Sequence, residues 1–423
     1  MTVKQGKDIA LIIGAGTGGL LAAAALAPHF KTIRILERDT LPNLPAIRKG
    51  VGQAAHLHSL LLGGLQIMER FLPGITQDLV DSGAKRLRAG IDQQIHEYGV
   101  WLPERDLGCS ILAQSRHLLE HVIRRRVAQL DNVTILDCAR IQNLTLNDAS
   151  CVTGVRLLGP DGHTKNIPAD IVVDCSGRGG KFVRQLSKTF PGMSRVDEIA
   201  SNIVYASALV DKPEALADNN ENILIIAEPG ASAGGALIDI EDNRWFVSLH
   251  GRNGMQPPTT VDEWVEFAKR LPSDRIYQRL LNAEKVHPIA LYRKPLSTWR
   301  RFDLMPSLPQ NYYPLGDVVT SVNPTFGQGM TIGFGHAAAL DDAFSTEENA
   351  KAIQKKYIDS SASWSQKAWR VCAAYDASFG SDVQKSNKNY QILKALSLKK
   401  QSEIIADTAA HIGWFQSAQL YSV

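Results

Sequence analysis

A glycine-rich turn near the N-terminus has the residue types and spacing that bind a dinucleotide. Gly14, Gly16 and Gly19 follow an apolar run and precede an Ala/Leu-rich segment. The first glycine permits a tight turn, the second lets a pyrophosphate approach the backbone, and the third allows close packing of helix on sheet. Glu37 ends the next strand-like run, where a carboxylate accepts from ribose hydroxyls and repels a 2′-phosphate. The pattern predicts the adenosine end of FAD or NAD.

A second glycine-rich loop, about 300 residues later, could hold the other end of a long dinucleotide. Gly316 and Asp317 end a strand-like run, and the sequence NPTFGQGM (323–330) precedes an Ala-rich segment. An aspartate placed after a glycine can accept a hydrogen bond from a sugar or ribityl hydroxyl. The N–H groups at the start of the following helix can donate to a flavin carbonyl. On spacing alone, an ordinary loop-to-helix turn explains the segment equally well.

A third motif, DIVVDCSGRGG at residues 170–180, reads as a buried strand that ends in a glycine turn, with Arg184 downstream. Taken alone, it predicts only that strand and turn. Together, the three motifs resemble the group A flavoprotein monooxygenases of the p-hydroxybenzoate-hydroxylase type. The segments AQSR (113–116) and RKGVGQAAHLH (48–58) extend the resemblance, and the second is similar to bacterial epoxidases and hydroxylases of natural-product pathways.

The resemblance implies an enzyme that holds FAD and inserts one oxygen atom of O2 through a flavin C4a-hydroperoxide. The expected reaction is hydroxylation or epoxidation of an apolar or aromatic substrate in natural-product biosynthesis. NADH or NADPH would supply electrons, either directly or through a partner flavin reductase. Many relatives carry an aspartate where this chain has Ser176, which puts direct handling of NADPH in question. The chain has no second dinucleotide fingerprint, so no dedicated NAD(P)H domain is expected.

The motifs and the resemblance together define the expected site residues. The expected cofactor-binding residues are Gly14, Ala15, Gly16, Thr17, Gly18, Gly19, Glu37, Arg38, Arg48, Gln53, Arg116, Gly177, Gly316, Asp317, Gly327, Gly329 and Met330. The candidate catalytic residues are His56, Pro324 and Gln328, and no metal is expected. For His56 and His58, the favoured alternative is that they are polar residues at a helix start or partly buried histidines with satisfied hydrogen bonds. Apolar pocket walls are expected from Trp245, Phe246, Phe302 and Phe326, for which core packing is the commoner alternative.

Four other functions share these motifs. A halogenase would need a lysine between flavin and substrate, for which Lys85 is the candidate, but its WxWxIP signature is missing from the chain. A double-bond reductase would work without oxygen. A hydroxylase acting on a residue of a partner protein would take a peptide in place of a small molecule. A protein that keeps FAD for structure or sensing would have no turnover.

The elements that must position these residues form an α/β fold. Strands are predicted at 8–13, 32–36, 133–137 and 170–174, and helices at 20–26, 56–72 and 115–129. We expect a Rossmann-like FAD-binding domain over 1–198, a β-rich substrate domain over 199–300, a return to the first domain over 301–345, and a helical region over 346–423. Residues 261–283 and the chain from about 336 onward are also predicted to be helical. The tail, 399–423, is expected to cap the pocket.

Composition limits the possible binding partners and the cellular location of the protein. The 46 basic and 43 acidic residues give a net charge of +3, and no long basic tract suggests nucleic acid. Five cysteines without a CxxC motif argue against a disulfide framework or a zinc site. No signal peptide and no membrane-spanning apolar stretch are apparent. The expected location is the cytoplasm.

Overall fold

The computed structural model describes residues 7–379, apart from 98, 149–150, 160–161, 218–219 and 307. The strands are β1 (Lys7–Ile13), β2 (Phe30–Leu36), β3 (Ser59–Leu60), β4 (Lys85–Arg88), β5 (Gln93–Glu97), β6 (Val100–Trp101), β7 (Ser110–Ala113), β8 (Val133–Leu136), β9 (Arg140–Leu146), β10 (Val152–Leu158), β11 (Thr164–Pro168), β12 (Ile171–Asp174), β13 (Val196–Asp211), β14 (Asn222–Ile225), β15 (Ala233–Ile240), β16 (Arg244–Arg252), β17 (Lys285–Val286), β18 (Ala290–Arg300), β19 (Tyr312–Pro314) and β20 (Thr320–Ser321). The helices are α1 (Thr17–Leu26), α2 (Leu62–Phe71), α3 (Ile75–Asp81), α4 (Arg116–Val127), α5 (Lys181–Leu186), α6 (Val261–Phe267), α7 (Arg275–Leu281), α8 (Gln328–Thr346) and α9 (Ala350–Ala377).

A five-stranded parallel sheet brings the predicted motifs to one edge. Its strand order is β19-β12-β1-β2-β8, and the registers place Ile13 beside both Leu36 and Asp174, with Asp174 beside Pro314. The segments that leave the carboxyl ends of β1, β2, β12 and β19 therefore start side by side. In open parallel sheets, ligands bind at this edge.

Buried apolar residues explain why these segments form central strands. Leu11, Ile12, Ile33 and Val172 have no solvent exposure, as expected for strands covered on both faces. α1 packs against α8 and α4, and α8 packs against α9. The α/β fold class, with a Rossmann-like sheet and a helical region near the C-terminus, is confirmed.

A large mixed sheet of nine strands forms the second layer. Its order is β20-β18-β13-β16-β15-β14-β5-β6, with β17 paired to β13. One face packs on α6 and α7 through a core that includes Val247, Trp264 and Ile276. Strands β5, β6 and β20 join this sheet from outside residues 199–300, and the predicted domain boundaries at 198, 300 and 345 stay a proposal.

Several local predictions are confirmed, and three need correction. The strands predicted at 8–13, 32–36, 133–137 and 170–174 are β1, β2, β8 and β12. Ser115 is the N-cap of α4, and its side chain accepts from Leu118 N. The segment 56–72 is helical only from Leu62, because residues 59–60 pair with β7. Residues 261–283 form two helices, since Pro272 interrupts the run. The Ala-rich helix starts at Gln328, so it includes the last residues of the segment 323–330 that was expected to precede it.

Candidate functional site

The glycine turn after β1 uses each of its three key glycines differently. Gly14 has φ +98°, and a Cβ there would lie 2.8 Å from Cys175 O. A Cβ on Gly19 would lie 2.0 Å from Gly14 O, so a side chain cannot fit between α1 and the sheet. A Cβ on Gly16 would meet nothing within 4 Å. Gly14 and Gly19 are therefore required by the backbone conformation and by close packing of the backbone. Gly16, in contrast, faces open space at the start of α1.

Glu37 and Arg48 form a buried charge cluster beside this turn. Glu37 Oε2 accepts from Ala15 N at 2.8 Å and lies 3.0 Å from Arg48 Nη1, and its Oε1 accepts from Asp39 N at 3.0 Å. Arg48 Nε donates to Glu120 Oε1 at 2.6 Å, and Nη1 donates to Asp39 Oδ2 at 3.1 Å. Burial opposes the charge on Arg48, yet these carboxylates hold its pKa above the ordinary value. Oε1 of Glu37 retains capacity for a ribose hydroxyl.

Unpartnered polar atoms next to the turn test whether the site fits a dinucleotide. Arg116 Nη2 donates to Thr17 Oγ1 at 3.0 Å, and burial lowers the Arg116 pKa. Arg48 Nη2 and both amide atoms of Gln114 are buried without a hydrogen-bond partner among the described residues, and Arg116 Nη1 has only an ion-pair contact with Glu120 Oε2 at 3.5 Å. Such orphaned donors are costly unless a ligand satisfies them. Together with the open space at Gly16, they fit an anionic cofactor.

The second glycine motif lies directly beside the first. A Cβ on Gly18 would lie 3.2 Å from Cδ2 of Leu315, the residue that precedes Gly316. Gln53 Nε2 reaches Asp317 Oδ2 at 3.5 Å and donates to Tyr292 OH at 3.2 Å. The charge of Asp317 also favours the protonated form of Arg116. The fold thus joins motifs that the chain separates by about 300 residues.

A buried histidine holds the backbone of the second motif. Gly316 N donates to His336 Nδ1 at 3.1 Å, so the proton of the neutral ring sits on Nε2, 3.0 Å from Ser365 Oγ. His336 has no solvent exposure, and this burial lowers its pKa to about 3. Sequence patterns give no signal for this role, because His336 lies on the Ala-rich helix 20 residues from its partner.

Acid is expected to destabilise the protein through His336. The unfolded chain takes up a proton near pH 6.5, but the folded chain takes it up only near pH 3. Stability is therefore fully present above pH 6.5 and falls with pH by up to about 1.4 kcal/mol per pH unit. His336→Gln should flatten this slope between pH 7 and 5 in urea unfolding, while the exposed His163→Gln should leave it as in the wild type. Equal slopes in all three proteins would contradict the assignment.

A short loop between β20 and α8 carries Pro324, and we call residues 322–327 the proline loop. Asn323 is fully buried, and its Oδ1 accepts from Thr325 N and from Tyr205 OH, each at 3.0 Å. Gly327 has φ +64° and caps α8, so the helix starts at Gln328. Gln328 Nε2 donates to Phe326 O at 3.3 Å, and a Cβ on Gly329 would meet open space. As in any α-helix, the first N–H groups of α8 have no carbonyl acceptor within the helix itself.

His56 forms a polar cluster with two serines of the large sheet. One of them, Ser207, lies two residues along β13 from Tyr205, which contacts the proline loop, so both side chains are on the same face of the sheet. His56 Nδ1 lies 2.8 Å from Ser207 Oγ, which lies 2.7 Å from Ser248 Oγ. Burial lowers the pKa of His56 to about 4 and that of His58 to about 3. His58 Nδ1 donates to His56 O at 2.7 Å, which fixes its tautomer. Both rings are therefore neutral near pH 7.

The remaining predicted residues differ in their distance from these groups. Arg38 is exposed and donates to Gly50 O at 3.3 Å, and Met330 packs against the main core. Gly177 lies at the same sheet edge, with φ +84° and open space around it. Asp170 accepts from the N–H groups of residues 8 and 9 at the opposite edge of the sheet. Arg184 donates to the carbonyl of residue 179.

The predicted pocket aromatics have different surroundings. Trp245 belongs to the core under α6 and α7, and Phe302 belongs to the main core, so packing explains both. Phe246 packs with Ile238 on the opposite face of the large sheet from Trp245. Phe326 lies in the proline loop, with its ring centroid 4.8 Å from that of Tyr375. The tail, 399–423, lies outside the described residues.

Sequence inspection missed several charged residues of the site. Lys294 on β18 is 3% exposed, and its Nζ donates to Ser321 O at 3.1 Å and to Ser321 Oγ at 2.5 Å. Arg252 and Asp376 form an ion pair without solvent exposure. No periodicity in the sequence marks these residues, because the partner of each one lies on a distant segment of the chain. Glu120 was detectable, since it follows Arg116 by one helical turn.

Among the described residues there is neither a helix that could span a membrane nor a cluster that could bind a metal. Within the described part of the chain, none of the helices combines the length and the apolar character needed to cross a bilayer. Among the same residues, no three His, Cys, Asp or Glu side chains are grouped so that they could hold a metal ion.

Comparison with known proteins gives a consistent result. A family model described as an FAD binding domain matches residues 8–372. Protein Rv3254 of Mycobacterium tuberculosis is 32% identical over 394 residues, which are 90% of this chain and 82% of that protein. PqsL, a probable FAD-dependent monooxygenase from Pseudomonas aeruginosa, is 17% identical, covers 92% of this chain and 98% of its own, and has a TM-score of 0.63. The flavin-dependent brominase Bmp2 is 15% identical, with coverages of 92% and 93% and a TM-score of 0.66. At these identities, the two structures indicate a shared fold.

Proposed function

Because this chain belongs to the FAD-dependent monooxygenases of the p-hydroxybenzoate-hydroxylase type, we propose that it hydroxylates or epoxidises an apolar or aromatic small molecule in the biosynthesis of a natural product. The observation that carries the proposal is the meeting of the glycine turn, Arg48, Arg116 and Asp317 at one sheet edge, where buried donors lack partners. The large sheet then faces the proline loop and supplies the walls of a substrate site.

Each end of FAD has candidate partners in this proposal. Gly16 leaves room for the pyrophosphate, and the N–H groups at the start of α1 donate to it. Glu37 accepts hydrogen bonds from the adenosine ribose. Arg48 Nη2 and Arg116 Nη1, which make no hydrogen bond within the described residues, donate to the phosphates or ribose. Asp317 accepts from the ribityl chain.

The rest of the predicted cofactor-binding set stays part of the proposal. It comprises Gly14, Ala15, Thr17, Gly18, Gly19, Gln53, Gly177, Gly316, Gly327 and Gly329, together with the exposed Arg38 and with Met330, which packs against the main core.

The protein residues have three tasks beside the flavin. Bound FAD supplies the reaction of reduced flavin with O2 that delivers one oxygen atom to the substrate. N–H groups at the start of α8, beside Pro324 and Gln328, donate to the pyrimidine carbonyl and stabilise negative charge there. The large sheet excludes water. His56 is neutral and buried, and Ser207 orients its ring toward a hydrogen bond with substrate.

The decisive experiment mixes the purified yellow protein anaerobically with NADH or NADPH. Bleaching of the flavin band indicates direct reduction, and bleaching only with substrate indicates gated reduction. Bleaching only after a flavin reductase is added indicates a partner reductase. The proposal then requires reductant-dependent O2 consumption, with one atom of 18O2 recovered in the product. A protein that never consumes oxygen in these assays would contradict it.

The alternatives are outcomes of the same assay. A double-bond reductase saturates its substrate without O2, and a halogenase makes a halide-dependent product. The halogenase candidate Lys85 lies on β4, and its charge acts on Asp239 of the large sheet. A protein substrate would appear as oxygen incorporated into a copurifying polypeptide.

Asp317→Ala is expected to weaken FAD binding about 10- to 100-fold. A hydrogen bond to a charged group contributes about 1.5–3 kcal/mol, and this carboxylate would lose its ribityl partner. Fluorescence titration of the apoprotein with FAD measures the change. Asp303→Ala is the control, because that carboxylate pairs with Arg301 away from the motif. Equal affinities for FAD in the two variants would remove Asp317 from the site.

A further inference from the structure

The last turn of α9 carries a buried carboxylate that is tied to the proline loop. Asp376 is 2% exposed and Asn323 has no exposure. Asn323 Nδ2 donates to Asp376 Oδ1 at 2.6 Å, while its Oδ1 accepts from Thr325 N and Tyr205 OH. One amide therefore joins the end of a 28-residue helix to the backbone of the loop that contains Pro324.

The large sheet fixes the same carboxylate from its other side. Arg252 Nη2 donates to Asp376 Oδ1 at 3.0 Å, and the hydroxyls of Ser201 and Ser297 donate to Oδ2 at 2.7 and 3.0 Å. Arg252 is itself held by Tyr375, whose ring centroid lies 4.7 Å from the guanidinium carbon. With these bonds and the one from Asn323, the four acceptor positions of the carboxylate are filled. Its position is therefore closely defined.

A second buried charge fixes the start of the loop. The two bonds from Lys294 Nζ reach Ser321 O and Oγ, one residue before the proline loop begins. Burial lowers the pKa of Lys294 to about 8. The loop is thus anchored at Ser321 by β18 and at Asn323 by α9.

A buried ionic network of this kind is an unusual way to gain stability. Well-packed apolar residues of similar volume often stabilise a core equally well or better. What the network does provide is one defined position for the atoms it holds. Here, those atoms belong to the segment that leads into the N-terminus of α8.

We infer that Asp376 is a positioning residue that acts through Asn323 to hold the N–H groups at the start of α8 in place for the flavin. The inference rests on the proposed placement of the proline loop beside the isoalloxazine ring. Donors in fixed positions favour the reduced, negatively charged flavin over the oxidised form. Loosening the loop weakens that preference, so the reduction potential of the bound FAD falls.

Potentiometric titration of purified holoprotein, reduced by dithionite without oxygen, tests the inference. Asp376→Asn should reduce the preference for reduced flavin about tenfold, a fall of about 30 mV for a two-electron couple. The flavin absorption band should shift as well. Asp239→Asn is the matched control, because Asp239 on β15 of the large sheet is as buried as Asp376 and pairs with Lys212 at 2.8 Å. That variant should lose stability and keep the wild-type potential.

Asn323→Ser provides a second route, because it cuts the link and leaves the Arg252–Asp376 pair intact. It should lower the potential by a similar amount, and the double variant should show no further fall, as expected for residues acting in series. If both single variants keep the wild-type potential and absorption band, the network is only structural and the inference is overturned. The titration uses no substrate or NAD(P)H, so its result is separate from that of the proposed oxygenation.

Discussion

Gly16→Val should give a folded protein that purifies without FAD. Gly16 has φ −71° and ψ 170°, an extended conformation that valine adopts freely, and a Cβ there meets nothing within 4 Å. The open space is where the pyrophosphate would approach α1. The valine side chain therefore blocks the cofactor but leaves the fold intact. We expect FAD affinity to fall at least about 100-fold, which corresponds to about 2.7 kcal/mol. Fluorescence titration of apoprotein measures the affinity, and urea unfolding of apoprotein measures stability.

Two further substitutions make this result specific. Gly19→Val should prevent folding, because its Cβ would lie 2.0 Å from a backbone oxygen. Gly192→Val should retain both stability and FAD, because that glycine is exposed and its nearest neighbour is the flexible side chain of Met305. A Gly16→Val protein that binds FAD as tightly as the wild type would show that the pyrophosphate lies elsewhere.

Arg48→Met should destabilise the protein by about 3–5 kcal/mol in urea unfolding. The guanidinium is the shared partner of Glu37, Asp39 and Glu120, and its side chain is only 6% exposed. Removing it leaves buried carboxylates without a countercharge, which is the costly way to break a buried ion pair. FAD affinity should also fall, since Arg48 Nη2 is one of the unpartnered donors.

The pH dependence and a surface control identify the cause. Without Arg48, the clustered carboxylates ionise less readily in the folded chain than in the unfolded chain. The variant therefore recovers part of the lost stability as pH falls from 7.5 toward 5. Arg301→Met removes an arginine that also lies between two carboxylates, Asp197 and Asp303, but nearer the surface. Its cost should stay below about 1 kcal/mol. Equal losses in the two variants would mean that burial of the Arg48 cluster contributes nothing.

Local chemistry made part of this site predictable. The tight turn at Gly14, the close approach at Gly19 and the cap at Ser115 follow from short-range sterics and hydrogen bonding, and all three are present. The parallel sheet followed from apolar runs and glycine turns. The helix predicted over 56–72 failed at its start, because pairing of residues 59–60 with β7 outweighs an apolar periodicity.

By itself, the sequence determined the family of the protein, its FAD and the glycine turn, because each of the motifs behind them is made of residues that are neighbours along the chain. The tertiary structure alone decided how the two glycine motifs meet, which donors remain unpartnered, and that His336, Lys294 and Asp376 hold the second motif and the proline loop. Those residues carry no local pattern. Each is buried, and a buried polar group must find a partner wherever the fold brings one within hydrogen-bond distance.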